Sequence, residues 1–148
     1  AGHMLGSASL EVVVEENGQT RTLVFSGDIG PRDAPILRDA TPFKKADILF
    51  MESTYGDRDH RSLAATIEEA VEAIRHAISR RGKILIPAFA IGRTQLLLYL
   101  LAGAVHRGEI PPVPVFIDSP MAIEATRIYD AHVELYDEEA LNLYKAGV

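Results

Sequence analysis

Ile48-Leu49-Phe50-Met51-Glu52-Ser53-Thr54-Tyr55-Gly56 is the stretch on which the reading of this sequence turns. Four apolar residues in a row predict a short strand buried on both faces. A carboxylate closes the run, and Ser, Thr and Gly then supply a turn. Two textures meet here, β-rich before it and alternating helix and strand after it. Upstream, Leu10 to Glu15 is a β-branched run, Asn17-Gly18 is a hairpin turn signal, and Thr20 to Ser26 is the returning strand. Gly27 to Lys45 holds three prolines and no periodicity, which predicts a long and functional loop.

Downstream, Leu63, Ile67, Val71, Ile74 and Ile78 recur on one helical face. Ser62 is placed to cap that helix, and Arg80-Arg81-Gly82 to end it. Ile84 to Ile86 reads as a short buried strand, Arg93 to His106 as an apolar helix stopped by Gly108, and Val113 to Ile117 as another strand. Ser119-Pro120 is an N-cap followed by proline at the first helical position. Asp137 is placed to cap a last helix through Tyr144. Such alternation predicts an α/β fold with parallel strands and crossover helices.

The 148 residues suit one ordinary domain, and 47% hydrophobic content is enough for a packed core. The net charge of -6 argues against a general nucleic-acid surface, so a phosphate ligand requires a local basic cleft. The sequence has no cysteine, which excludes disulfides and thiolate metal sites. The longest strongly apolar stretch, Leu96 to Val105, is half of the ~20 residues a membrane span needs. With no signal-peptide pattern at the start, the expectation is a soluble, cytoplasmic protein without membrane partners.

Three residues carry candidate chemistry on physical grounds. His3 lies in a loop of small residues, Asp28 follows a strand, and Glu52 ends one. Ligands gather at strand ends in α/β folds, and one imidazole with two carboxylates suits zinc or manganese. Each has a plainer reading: a near-terminal His is exposed, an Asp after Gly makes a turn, a strand-end Glu is solvated.

The motifs weigh for the sharper reading. Ala1-Gly2-His3-Met4-Leu5-Gly6-Ser7-Ala8 and Phe25-Ser26-Gly27-Asp28-Ile29-Gly30 resemble the third and fourth metal motifs of the β-CASP branch of the metallo-β-lactamase superfamily. Met51-Glu52-Ser53-Thr54-Tyr55-Gly56-Asp57-Arg58 resembles the acidic motif that opens its β-CASP region. Ile86-Pro87-Ala88-Phe89-Ala90-Ile91-Gly92-Arg93 and Asp118-Ser119-Pro120-Met121-Ala122 resemble two further blocks of its RNA-processing members. Glutamate at position 52 is similar to that branch rather than to the DNA-processing one.

The resemblance implies part of an αββα metallo-β-lactamase sandwich over residues 1–57 and the first half of a β-CASP domain, a parallel sheet with crossover helices, over 58–148. It implies hydrolysis of RNA phosphodiesters with two zinc ions, His3 as a ligand, Asp28 bridging both ions, and Glu52 orienting a later histidine. Arg93, Ser119, Arg58 and His60 are candidate substrate contacts; a first-turn arginine, a helix cap and a surface turn are their plain readings. Phe89 reads as a core residue. His76, His106 and His132 fall on helices and receive no role. The family's His-x-His-x-Asp-His motif and two later histidines are not in this sequence. The chain therefore reads as an internal piece, inactive alone, with an apolar sheet face that drives self-association. The alternatives are a catalytically inactive scaffold subunit and a DNA-processing nuclease.

Overall fold

The computed structural model describes residues 1–147. Strand β1 (Leu10–Glu16) and strand β2 (Gln19–Phe25) form the expected antiparallel hairpin. Asn17 and Gly18 take φ of 53° and 71°, the left-handed pair that a two-residue turn needs to match strand twist. Strand β3 (Ile48–Phe50) lies parallel to β2, in the order β1-β2-β3. The Asp47 carboxylate accepts the Thr22 N–H at 2.7 Å and locks the start of that pairing. The connection from β2 to β3 is the long proline-bearing loop, not a helix.

Register puts Leu10, Val12, Val14, Leu23, Phe25, Ile48 and Phe50 on one sheet face. Phe25 and Phe50 stack with ring centroids 4.8 Å apart. Among the described residues no layer covers this face: Leu10, Val12, Val14, Phe25, Ile48 and Phe50 are all exposed. β3 is thus a strand as expected, but it is exposed rather than buried. The opposite face buries Val24.

Helix α1 (Leu63–Ser79) starts at Ser62, whose hydroxyl accepts the Ala65 N–H. It ends where expected, at Arg80-Arg81-Gly82, with Arg81 in the left-handed conformation, φ 52°. The Gly82 and Arg81 N–H groups then bond the carbonyls of Ala77 and Ile78, which satisfies the last turn. Helix α2 (Arg93–His106) is followed by the Arg107 cap and by Gly108 at φ 69°. Helix α3 (Pro120–Ala131) is capped by the Ser119 hydroxyl, and helix α4 (Glu138–Lys145) by the Asp137 carboxylate, as expected. Val71 and Ile74 of α1 pack with Ala104 and Ile110 in the main core.

The long loop plugs into this helical layer. Ile36 is buried at φ 83°, a conformation a β-branched residue adopts only when its surroundings impose it. Its carbonyl accepts the Asp137 N–H at 2.7 Å, and Arg38 donates to the carbonyls of Glu134 and Tyr136.

The strands expected at Ile84 to Ile86 and Val113 to Ile117 do not form: neither segment is in a ladder. Leu85 is 93% exposed and Phe116 87%. A strand exists only through a neighbour's hydrogen bonds, and among the described residues neither segment makes a backbone hydrogen bond. The chain exposes 11290 Å². A folded protein of this mass typically exposes about 7,500 Å².

Candidate metal-binding strand-end site

The N-terminal loop and the turn after β2 meet edge to edge. Gly2 and Ile29 form an antiparallel bridge, and the Gly30 N–H donates to the Ala1 carbonyl at 3.0 Å. That register sets His3 opposite Asp28. The approach is close because position 30 has no side chain: a Cβ there would stand 2.0 Å from the Gly2 carbonyl oxygen. Both His3 and Asp28 are exposed.

Glu52 joins them from the end of β3. One carboxylate oxygen accepts the Ile29 N–H at 2.6 Å and the other accepts the Thr54 hydroxyl at 2.7 Å. The Ile29 N–H bond, then the Thr54 hydroxyl, hold the Glu52 carboxyl below its ordinary pKa, with a smaller pull from nearby His3. Its own N–H donates to the Ser26 hydroxyl at 3.0 Å, so the strand end and the Asp28 turn are fixed from both sides. Sequence reading missed the residues that frame this cluster. The Ser7 hydroxyl accepts the N–H groups of His3 and Met4 at 3.2 and 3.3 Å. The only sequence signal is a serine four residues after the histidine in a loop of small residues.

The remaining candidates sit elsewhere. Arg93 is exposed in the first turn of α2, and the Ser119 hydroxyl is engaged as the α3 cap. These two helix starts are neighbours, because the Gln95 amide donates to the Ala122 carbonyl and the Thr126 hydroxyl. Arg58 forms a two-pronged pair with Asp57 at 2.9 Å in each arm, and the His60 ring meets Tyr55 edge-on at 4.6 Å. Among the described residues, neither is hydrogen-bonded to the His3, Asp28 and Glu52 cluster. Phe89 is not core: it is 84% exposed, in a segment with no sheet to bury it.

The donor chemistry suits a borderline divalent cation, with an imidazole and a carboxylate side by side and no thiol. Among the described residues no three His, Asp or Glu side chains converge to hold a metal ion. A catalytic zinc site takes three protein ligands, and His3 with Asp28 supplies two donors.

The frame is a mixed α/β chain with an imidazole and two carboxylates at its strand ends. Residues 94–146 match the Beta-Casp domain family. Ribonuclease TTHA0252 of Thermus thermophilus is 42% identical over 139 residues, covering 94% of this chain and 31% of that protein. An RNase J-like protein of Methanocaldococcus jannaschii is 33% identical over 146 residues, 97% of this chain and 34% of its own length. The transcription termination factor FttA of Methanothermobacter thermautotrophicus is 37% identical over 142 residues, 94% of this chain and 22% of its own length. The chain spans about a third or less of these relatives. Over residues 94–146 the chain is similar to the Beta-Casp domain family, and over nearly its whole length to these three proteins.

Proposed function

We propose that this chain is the central part of a zinc-dependent nuclease that hydrolyses RNA phosphodiester bonds. Residues 1–57 complete the metallo-β-lactamase half and 58–148 begin the β-CASP domain. The observation that carries the reading is the Gly2–Ile29 bridge, which sets an imidazole and a carboxylate opposite one another with Glu52 holding the turn between them. Relatives named as ribonucleases support the substrate class.

In this reading the His3 imidazole and the Asp28 carboxylate are metal ligands. Zinc, when bound, supplies Lewis acidity toward phosphoryl oxygens and acidifies a water toward ~7. Glu52 contributes by position: its bond to the Ile29 N–H fixes the backbone of the turn that presents Asp28. Arg93 offers a guanidinium beside the N-terminal end of α2, where partial positive charge favours phosphate. With only two ligands, the 148-residue chain alone is inactive; turnover belongs to a polypeptide of the relatives' length.

The test is cleavage of labelled RNA, and of single-stranded DNA of the same sequence, by the full-length zinc-loaded protein. His3→Ala and Asp28→Asn should each abolish RNA cleavage and lower zinc content. Zinc bound without any cleavage supports the scaffold alternative, and preferential DNA cleavage supports the DNA-processing one. Full cleavage by both variants overturns the site.

A further inference from the structure

The loop that carries His3 is held from its other side by the helical layer. The Leu5 N–H donates to the Tyr129 hydroxyl at 3.1 Å, across 124 positions of sequence. Tyr129 is a buried residue of α3, 5% exposed. Beside it, Met4 approaches the start of α2 so closely that a Cβ at Gly92 would stand 3.3 Å from the Met4 Cβ. Four of the loop's N–H groups are bonded: His3 and Met4 to the Ser7 hydroxyl, Leu5 to Tyr129, and Ser7 to the Met4 carbonyl.

We infer that Tyr129 is a positioning residue for the metal ligand His3, the point at which the helical half sets the geometry of the site. The inference rests on the reading of His3 as a ligand. Ser7 closes the loop on itself and fixes its shape, but not where it sits. The Gly2–Ile29 bridge fixes one edge of the loop and Tyr129 the other, two residues beyond His3. A backbone anchored at both edges restricts the imidazole's origin to one place, and ligand preorganisation of this kind governs metal affinity.

Tyr129→Phe keeps the ring and removes the hydroxyl. Tyr136→Phe is the matched control, deleting another hydroxyl from the same layer without touching the loop. In the 148-residue chain, amide exchange read by NMR should show the Leu5 N–H exchanging about 2- to 12-fold faster in Tyr129→Phe, the range of one net hydrogen bond. The Tyr136→Phe chain should leave that amide unchanged. In the full-length protein, competition with a chromophoric chelator should show zinc affinity lowered about 10-fold by Tyr129→Phe, as for other groups that support a ligand. An unchanged Leu5 amide, or equal zinc losses in the two tyrosine variants, overturns the inference while leaving the ligand assignment intact. Zinc binding unchanged in His3→Ala overturns the ligand assignment itself, and the inference with it, whatever the Leu5 amide does.

Discussion

Replacing Gly30 by alanine isolates the contact that sets His3 opposite Asp28. Gly30 has no left-handed φ, so alanine is conformationally acceptable and the effect is purely steric. The added Cβ would lie 2.0 Å from the Gly2 carbonyl oxygen and 2.8 Å from the His3 nitrogen. Both are backbone atoms, which cannot rotate aside, so the two segments must separate. Crowding of this kind costs about 1–3 kcal/mol. Losing the Gly30 N–H bond to the Ala1 carbonyl costs about 1 kcal/mol more. Alanine also restricts the unfolded chain, which offsets about 0.4–1 kcal/mol. The net loss is about 1–3.5 kcal/mol, capped by whatever docking of the loop contributes, since the loop can detach before the rest unfolds. At about 2–4 °C per kcal/mol for a chain of this size, the thermal midpoint should fall by about 2–14 °C unless detachment limits the loss. Amide exchange at residue 30 distinguishes the two outcomes, because detachment accelerates it even where the midpoint is held. A midpoint within about 1 °C of the parent, with residue 30 still protected, refutes the claim that this close approach holds the loop.

Three further outcomes follow from the same structure. Asp47 is held below its ordinary pKa of 3.8, chiefly by the Thr22 N–H, so its stabilisation is present above that value and is lost as pH falls through the lower folded value; Asp47→Asn should flatten acid denaturation there, and an unchanged curve counts against it. Burial, first among the causes, pushes Tyr99 and Tyr136 up to about 12, so stability they confer is full below their ordinary value of 10.0 and is lost as pH rises toward about 12; absorbance near 295 nm should show two of the five tyrosines ionising late, in step with alkaline unfolding. The uncovered sheet face should make the chain self-associate in light scattering, and Val12→Lys at its centre should shift it toward monomer; a monomeric parent chain refutes the claim.

Local chemistry was legible where the signal is local. Asn17-Gly18 specifies its turn by φ alone, and Ser62, Ser119 and Asp137 cap their helices because the N–H they accept lies three residues away. The two candidate ligands were legible as residue types in motifs. Their support was not. The Leu5 bond to Tyr129 and the approach of Gly30 to Gly2 join positions far apart in sequence, and one of each pair contributes only backbone. Nor could periodicity reveal that Arg81 takes the left-handed position: Gly82 is the cheaper residue there, but the carbonyls left free by α1 lie one step earlier.

The unformed strands raise a sharper point about what an apolar run means. Ile84-Leu85-Ile86 and Val113 to Ile117 have the composition of strands covered on both faces, yet here they are unpaired and largely open to solvent. Composition reports the environment a segment requires, while a ladder requires a partner at the correct spacing. Both segments feed directly into the starts of α2 and α3, at Arg93 and Ser119, which Gln95 already ties together. Any strand that pairs with them would therefore act on the two helix starts, and through Gly92 and Tyr129 on the loop of His3. Covering these segments and presenting the ligand are then linked through α3, which Ser119 starts and which carries Tyr129.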